Sequence, residues 1–255
     1  MRLLFLGDIV GSAGRDAVRR AVPALRAELA LDYVVANGEN VAGGRGITPA
    51  LAEQLFACGV DVITGGNHTF QHREVYPYLD STPAMTRPLN YPPGAPGHGI
   101  ARLGELAIVN LIGRTFMGQD CDDPFRAADA ALKEVADARY VLVDFHAEAT
   151  SEKQAIGWYL DGRVTAVVGT HTHVPTADQR ILPRGTAFCS DAGMCGARDS
   201  IIGDEVEAVL QRFLTQLPTR LPAAEGTAMI NGLIIEAAGM SGRAISIERY
   251  DRVID

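Results

Sequence analysis

Short, uninterrupted runs of apolar residues that alternate with helical patterns constrain the fold of this chain more than any other feature. The first two runs cover residues 3–6 and 33–36, and a third strand is predicted over 60–64, where Asp61 is the one polar residue before Thr64. Such runs are typical of strands covered on both faces. Helical patterns over 15–29 and 48–58 separate them, so the order is βαβαβ, which indicates parallel strands joined by crossover helices. Pro23 lies inside the first helical pattern and predicts a kink or split near residues 19–22.

The second half of the chain adds antiparallel signals to this pattern. A hairpin is predicted over 99–112, a strand over 181–189 and a second hairpin from strands 228–235 and 243–250. Helices are predicted over 124–138, 152–160 and 205–217, and strands over 140–145 and 165–169. A proline-rich loop over 87–99 joins the halves, and no linker interrupts the pattern. The chain is therefore predicted to form one α/β domain over residues 1–255, with two packed sheets and helices outside.

Composition excludes several classes of function. The net charge is −8 and no basic run exceeds two residues, so stable nucleic-acid binding is not expected. No apolar run approaches the ~20 residues of a membrane-spanning helix. The four cysteines form no CxxC pair, which indicates reduced thiols and a cytoplasmic location.

Polar residues follow directly on several of the apolar runs. In open α/β sheets, ligands bind outside the carboxyl ends of the strands, so we expect these side chains to meet at one edge. Imidazoles and carboxylates together suit zinc, iron, manganese or nickel. An extended backbone would point His171 and His173 to the same side. The candidate residues are Asp8, Glu39, Asn40, Asn67, His68, His146, His171 and His173.

The charges of these residues favour a phosphate substrate. Two carboxylates, several imidazoles and amide oxygens are enough for two divalent ions, with Glu39 or Asp8 able to bridge them. Two such ions would leave the centre cationic, and a water bound to them can ionise near pH ~7 and attack a phosphoester. The leaving alkoxide then needs a proton, and His68, beside Asn67, is the candidate general acid.

Two motifs resemble those of the calcineurin-like metallophosphoesterases. Gly66-Asn67-His68 resembles one block of that family, and His171-Thr172-His173 resembles its paired histidines. The chain departs from the family at Val10, where a histidine is usual, at Glu39, which replaces an aspartate, and at Thr69, which replaces an acid. These departures, together with Phe145-His146-Ala147-Glu148 and Asp191-Ala192-Gly193-Met194, resemble the YmdB-like subfamily over nearly the whole chain.

This resemblance implies the two-sheet αββα sandwich of the metallophosphoesterase type. It implies a dinuclear transition-metal centre, with iron favoured and manganese or zinc possible, and hydrolysis of cyclic nucleotides, 2′,3′-cyclic ones included. The reaction it implies is attack by a metal-bridging hydroxide, with His68 as general acid. A small phosphoester substrate and a homo-oligomer are expected. The implied metal ligands are Asp8, Glu39, Asn40, Asn67, His146, His171 and His173.

Three other functions stay open at this point. The same centre could serve a phosphomonoesterase, or a metal-containing regulatory protein with little catalysis. Gly11, Gly14 and Glu39 resemble part of a dinucleotide-binding turn, although Ile9 stands where its first glycine is needed, so an oxidoreductase is a weaker alternative. Gly43-Gly44-Arg45-Gly46 is consistent with either a flexible lip over the site or a subunit contact.

Overall fold

The computed structural model describes residues 1–254 as two β-sheets with helices on their outer faces. The apolar runs of the sequence form most of the strands. The thirteen strands are β1 (Arg2–Leu6), β2 (Asp8–Ile9), β3 (Tyr33–Asn37), β4 (Val62–Thr64), β5 (Ile100–Leu103), β6 (Leu106–Ile112), β7 (Tyr140–His146), β8 (Ala166–Thr170), β9 (Arg180–Ile181), β10 (Ala187–Cys189), β11 (Met194–Ala197), β12 (Ala228–Ala237) and β13 (Ala244–Ile254).

Six helices connect and cover these strands. They are α1 (Gly11–Glu28), α2 (Pro49–Ala57), α3 (Val75–Ser81), α4 (Pro124–Glu134), α5 (Thr150–Leu160) and α6 (Val206–Thr215). Thr48 caps α2, because its hydroxyl accepts a hydrogen bond from the backbone N–H of Leu51, and Pro49 begins the helix. The predicted split near residues 19–22 is wrong, since α1 runs unbroken through Pro23.

The first sheet has the strand order β2-β11-β12-β1-β3-β4, and β13 pairs with β12. Strands β1, β3 and β4 are parallel, as the βαβαβ pattern predicted. The two strands of the C-terminal hairpin, β12 and β13, are antiparallel, and β12 also pairs antiparallel with β1. Strand β1, the first in the sequence, is thus flanked by β12, which comes late in the sequence.

The second sheet has the order β5-β6-β7-β8-β10-β9, and β6, β7, β8 and β10 are parallel. The hairpin of β5 and β6 was predicted. The single strand predicted over 181–189 is wrong, because the chain turns there and forms the antiparallel pair β9 and β10. Gly185, at φ +98°, lies in the turn, a conformation that favours glycine.

Three apolar layers hold the sheets and helices together. Leu3 and Phe5 of β1 pack between the two sheets, against Leu142 of β7 and its neighbours. Leu4 of β1 packs on the opposite face with residues of α1 and α2, and Val143 of β7 packs with residues of α4 and α5. The alternation along each strand therefore builds an αββα sandwich, as expected. Among residues 1–254, no helix combines the length and apolar character needed to cross a bilayer.

Candidate metal centre

The candidate ligands come from the carboxyl ends of strands in both sheets. Asp8 follows β1, Glu39 and Asn40 follow β3, and Asn67 and His68 follow β4, all in the first sheet. His146 ends β7, and His171 and His173 follow β8, in the second sheet. The contacts between these side chains show that the two sheets present their strand ends to one common site.

The Nε2 atom of His146 lies at the centre of one group of ligands. It is 2.8 Å from Asn67 Oδ1, 3.1 Å from His171 Nδ1 and 3.4 Å from Glu39 Oε1. His146 is completely buried and Glu39 is almost so. Metal-ligating atoms of Glu39, His146 and His171 lie within 4.8 Å of one another, as a single ion would require.

A second group of ligands lies beside the first. His173 Nε2 is 3.8 Å from Asp8 Oδ1 and 3.1 Å from Asn40 Nδ2. Asn40 Nδ2 in turn donates to Glu39 Oε1 over 3.0 Å, so Glu39 contacts members of both groups. In this orientation of its side-chain amide, Asn40 Oδ1 faces His68 Nδ1. The amide must therefore rotate before Asn40 can bind a metal ion through its oxygen.

The His171-Thr172-His173 segment is not extended. His171 has φ +99° and His173 has φ +65°, so the prediction that an extended backbone aligns them is wrong. Both side chains nonetheless line the same cavity. The turn is held from below by Asp191, whose Oδ2 accepts hydrogen bonds from the backbone and the hydroxyl of Thr172 and from Lys153 Nζ at 2.6 Å.

Gly66 allows the ligands to approach the loop that follows β4. A Cβ at this position would overlap Glu39 Oε2 and His146 Nε2. The backbone N–H of His68 also donates to Glu39 Oε2 over 2.8 Å. The glycine of the Gly66-Asn67-His68 motif is therefore needed for space, since any side chain would displace two ligands.

The electrostatics of the cluster depend on a few buried groups. Burial alone would raise the pKa of Glu39, but the charge and hydrogen bond of His146 hold it well below its ordinary value. Burial likewise opposes charge on His146, yet the Glu39 carboxylate outweighs it and raises the pKa of His146 to about 9. Burial and the positive charge of His146 lower the pKa of His171 to about 3. A positive charge is thus favoured beside Glu39, and a bound cation would supply it.

The donor set fits metal ions. Asp8 is completely buried, burial raises its pKa, and the nearby imidazoles of His173 and His146 oppose that rise. Its Oδ2 accepts a hydrogen bond from the backbone N–H of His171, whereas its Oδ1 has no hydrogen-bond partner within the described structure. A buried carboxylate oxygen without a donor is costly unless a cation binds it. The first group would hold one ion and the second group another.

His68 lies at the edge of a cavity of about 300 Å³ that opens over the ligands. Its side chain is about 29% exposed, and its Nδ1 is 2.8 Å from Asn40 Oδ1. The cavity is also lined by residues that were not predicted as site residues, among them Glu148, Thr172, Ile202 and Asp204. Gly44 and Arg45, from the segment interpreted as a possible lip over the site, line it as well. Glu148 Oε2 lies 3.1 Å from His171 Nε2, on the opposite side of that ring from His146.

Several buried polar residues beneath the site were also not singled out in the sequence. They are Asn37, Thr64, Asp144, Lys153 and Thr170. The available signal was a polar residue inside an otherwise apolar element, as with Asp144 in β7 and Lys153 on the covered side of α5. The partners of such residues come from neighbouring strands, which local sequence does not identify.

The fold and the site together define a metallophosphoesterase-type protein. A family model described as YmdB-like protein matches residues 4–250, and the chain belongs to that family. The predicted family and fold class are both confirmed.

Known proteins similar to the chain are hydrolases where their activity is described. It is 48% identical over 254 residues to a 2′,3′-cyclic-nucleotide 2′-phosphodiesterase from Bacillus subtilis, covering 98% of this chain and 96% of that protein. A crystal structure described as a novel phosphatase from Mycoplasma pneumoniae superposes with a TM-score of 0.93 at 33% identity, covering 99% of this chain and 93% of that one. A hypothetical protein from Thermus thermophilus gives 0.93 at 47% identity, covering 99% of both chains. The chain is accordingly a hydrolase.

Proposed function

We propose that this chain is a metal-dependent phosphodiesterase that hydrolyses cyclic nucleotides, with 2′,3′-cyclic nucleotides favoured. The observation that carries the proposal is the buried ligand cluster built from both sheets around Glu39, His146 and His171. The activity printed for the Bacillus subtilis relative supports the choice of substrate. The cavity of about 300 Å³ is at the lower end of the range for small-molecule sites, which suits a mononucleotide better than a polymer.

The proposed centre holds two transition-metal ions, with iron favoured and manganese or zinc as alternatives. The ligands would be Glu39, Asn67, His146 and His171 in one group, and Asp8, Asn40 and His173 in the other, with Glu39 shared. When bound, two such ions polarise a phosphoryl oxygen and supply an activated water at neutral pH.

His68 is the proposed general acid. Its Nδ1 lies 3.2 Å from Glu39 Oε1, an acceptor that stays in place when the Asn40 amide rotates to bind a metal ion. The Nδ1–H therefore anchors the ring, and Nε2 is the nitrogen that can give a proton to the leaving alkoxide.

The variant His68→Ala tests this role. It should keep its metal ions but lose about 10²–10⁴-fold in turnover of 2′,3′-cyclic AMP, whose alkoxide leaving group needs a proton. It should lose much less with bis(p-nitrophenyl) phosphate, because p-nitrophenolate leaves without one. His98→Ala, at an exposed histidine outside the cavity, is the matched control. Equal losses on both substrates would show that His68 is not the acid.

A phosphomonoesterase on the same centre is the second candidate, favoured by the phosphatase description of the Mycoplasma pneumoniae structure. Turnover of 2′,3′-cyclic nucleotides should be compared with that of 2′- and 3′-nucleotide monophosphates, with metal content measured on the same sample. Preference for the monophosphates would favour the monoesterase. No turnover of either with added Mn²⁺ or Fe²⁺ under reducing conditions would contradict catalysis and favour a regulatory protein.

Three further properties belong to the proposal. Residues 1–255 are proposed to form one domain, because the apolar layer between the sheets joins both halves of the chain. A homo-oligomer is proposed because Leu210, Phe213 and Leu214 of α6 are exposed apolar residues. A cytoplasmic location is proposed because the four cysteines are free.

A further inference from the structure

A layer of buried polar residues lies between the two sheets, beneath the candidate metal centre. At its middle is Asp144 of β7, which is completely buried. It accepts hydrogen bonds from Thr64 Oγ1 at 2.5 Å, from Thr170 Oγ1 at 2.7 Å and from Asn37 Nδ2 at 3.1 Å. The donors come from β4, β8 and β3, so this one carboxyl group joins strands of both sheets.

The direction of these hydrogen bonds can be assigned. Asn37 Oδ1 accepts from the backbone N–H of Glu39 and its Nδ2 donates to the Gly65 carbonyl, which fixes the amide orientation. Asn37 Nδ2 must therefore donate to Asp144, which acts as an acceptor.

The assignment extends through Thr170 to a metal ligand. The Thr170 hydroxyl has a single proton, which it donates to Asp144 Oδ1. Thr170 Oγ1 also lies 2.9 Å from His146 Nδ1, so it accepts there and His146 Nδ1 carries the hydrogen. The other ring nitrogen, Nε2, is left to face Asn67, His171 and Glu39.

We propose that Asp144, acting through the Thr170 hydroxyl, is a positioning group that fixes the ring and tautomer of His146 so that Nε2 binds the metal ion. This inference rests on the metal centre of the proposed function. Metal-ligating histidines usually donate their second N–H to an acceptor, and that partner sets which nitrogen binds the metal. Here the partner of His146 Nδ1 is the Thr170 hydroxyl, which is oriented by the buried carboxylate of Asp144.

The same residues could simply join the two sheets, and Thr64 separates these roles. Thr64 and Thr170 are both completely buried, and each donates to one oxygen of Asp144. Of the two threonines, only Thr170 contacts His146 in this network. Thr170 and His146 are also paired in the register of β7 and β8. A Thr→Val change at either position removes a hydroxyl from Asp144 with little change in volume, so Thr64→Val is a matched control.

The test measures Zn²⁺ affinity by chelator competition on full-length protein stripped of metal, and does not depend on activity. Thr170→Val should bind Zn²⁺ about 10–100-fold more weakly, the loss typical of outer-shell partners, and Thr170→Ser should restore binding. Thr64→Val should lose stability but keep the wild-type affinity. Wild-type affinity in Thr170→Val, or an equal loss in Thr64→Val, would overturn the inference.

A second measurement does not require Thr170→Val to fold. In the Zn²⁺-loaded wild-type protein, long-range ¹H–¹⁵N spectra should show the His146 proton on Nδ1. A proton on Nε2 would overturn the inference without contradicting the proposed metal centre. If the wild-type protein bound no metal ion at all, the proposed function would fail first, and the inference with it.

Discussion

The two sheets supply chemically different halves of the candidate site. The first sheet gives oxygen ligands, in the carboxylates of Asp8 and Glu39 and the amides of Asn40 and Asn67. The second sheet gives imidazoles, from His146, His171 and His173. The group Glu39, His146 and His171 draws on both halves. The candidate metal centre is therefore built at the interface between the sheets and not on either sheet alone.

The two halves also depend on each other electrostatically. Without a bound cation, Glu39 and the imidazolium of His146 stabilise each other's charge, and a metal ion bound at Nε2 would take the place of that proton. A buried charge that loses its partner is costly, so removing either half should disturb the other. Changes made in one half at a time can test how far this dependence extends.

The largest effect is expected from Glu39→Gln, which removes one of the two carboxylate charges of the first sheet's ligands with little change in shape. Glu39 contacts members of both ligand groups, so this variant should lose both ions. Turnover should fall by more than the roughly 10²–10³-fold typical of losing one electrostatic group in an active site. Metal content and turnover measure the effect. Asp204→Asn, a carboxylate of the cavity wall outside the cluster, is the control and should keep both.

A smaller effect, mainly on stability, is expected from Lys153→Met, a change beneath the imidazole ligands of the second sheet. Lys153 is buried and pairs with Asp191, which holds the turn between His171 and His173. The variant leaves Asp191 buried and unpaired, which should cost about 3–5 kcal/mol in the free energy of unfolding. Denaturant titration measures this, and Arg19→Met, which breaks the exposed Arg19–Asp16 pair, should cost less than about 1 kcal/mol. Similar losses in both variants would contradict a special role for the buried pair.

The smallest effect is expected from Arg45→Ala, in the glycine-rich segment 43–46 that follows Glu39 and Asn40 in the sequence. Arg45 is exposed and lines the cavity, where it can face a substrate phosphate. Losing an exposed charge of this kind should cost about 1 kcal/mol, or roughly fivefold in KM, with kcat unchanged. Arg114→Ala is the matched control, since Arg114 pairs with Asp123 outside the cavity. An effect on kcat instead would place Arg45 closer to the reaction.

Much of the fold could be predicted because the central parallel strands are continuous apolar runs. Strands β1, β3, β7 and β8 follow such runs, and the polar residues after them marked the edge where the site lies. The short strands β2 and β11 were missed, since two to four residues are too few to give a periodic signal.

The parts of the site that could not be predicted depend on long-range geometry. The turn at His171 and His173 requires φ values that no local pattern indicated, and it is held by Asp191 about twenty residues later. Nothing in the local sequence distinguishes Thr170 from other strand residues, and its role depends on the register that places it opposite His146. Register and packing between sheets are set by the whole fold, so local sequence patterns do not predict them.

The pairing of β1 with β12 has a consequence for the order in which the protein is made. Every ligand, from Asp8 to His173, leaves the ribosome before residues 228–237 are synthesised. Until then β1 lacks the neighbour that covers one of its edges, and the backbone N–H of Gly7, next to Asp8, lacks its acceptor at Asn231. The candidate ligands thus exist on the nascent chain before the strand that completes the sheet beneath them, so any loading of metal would have to follow the synthesis of β12.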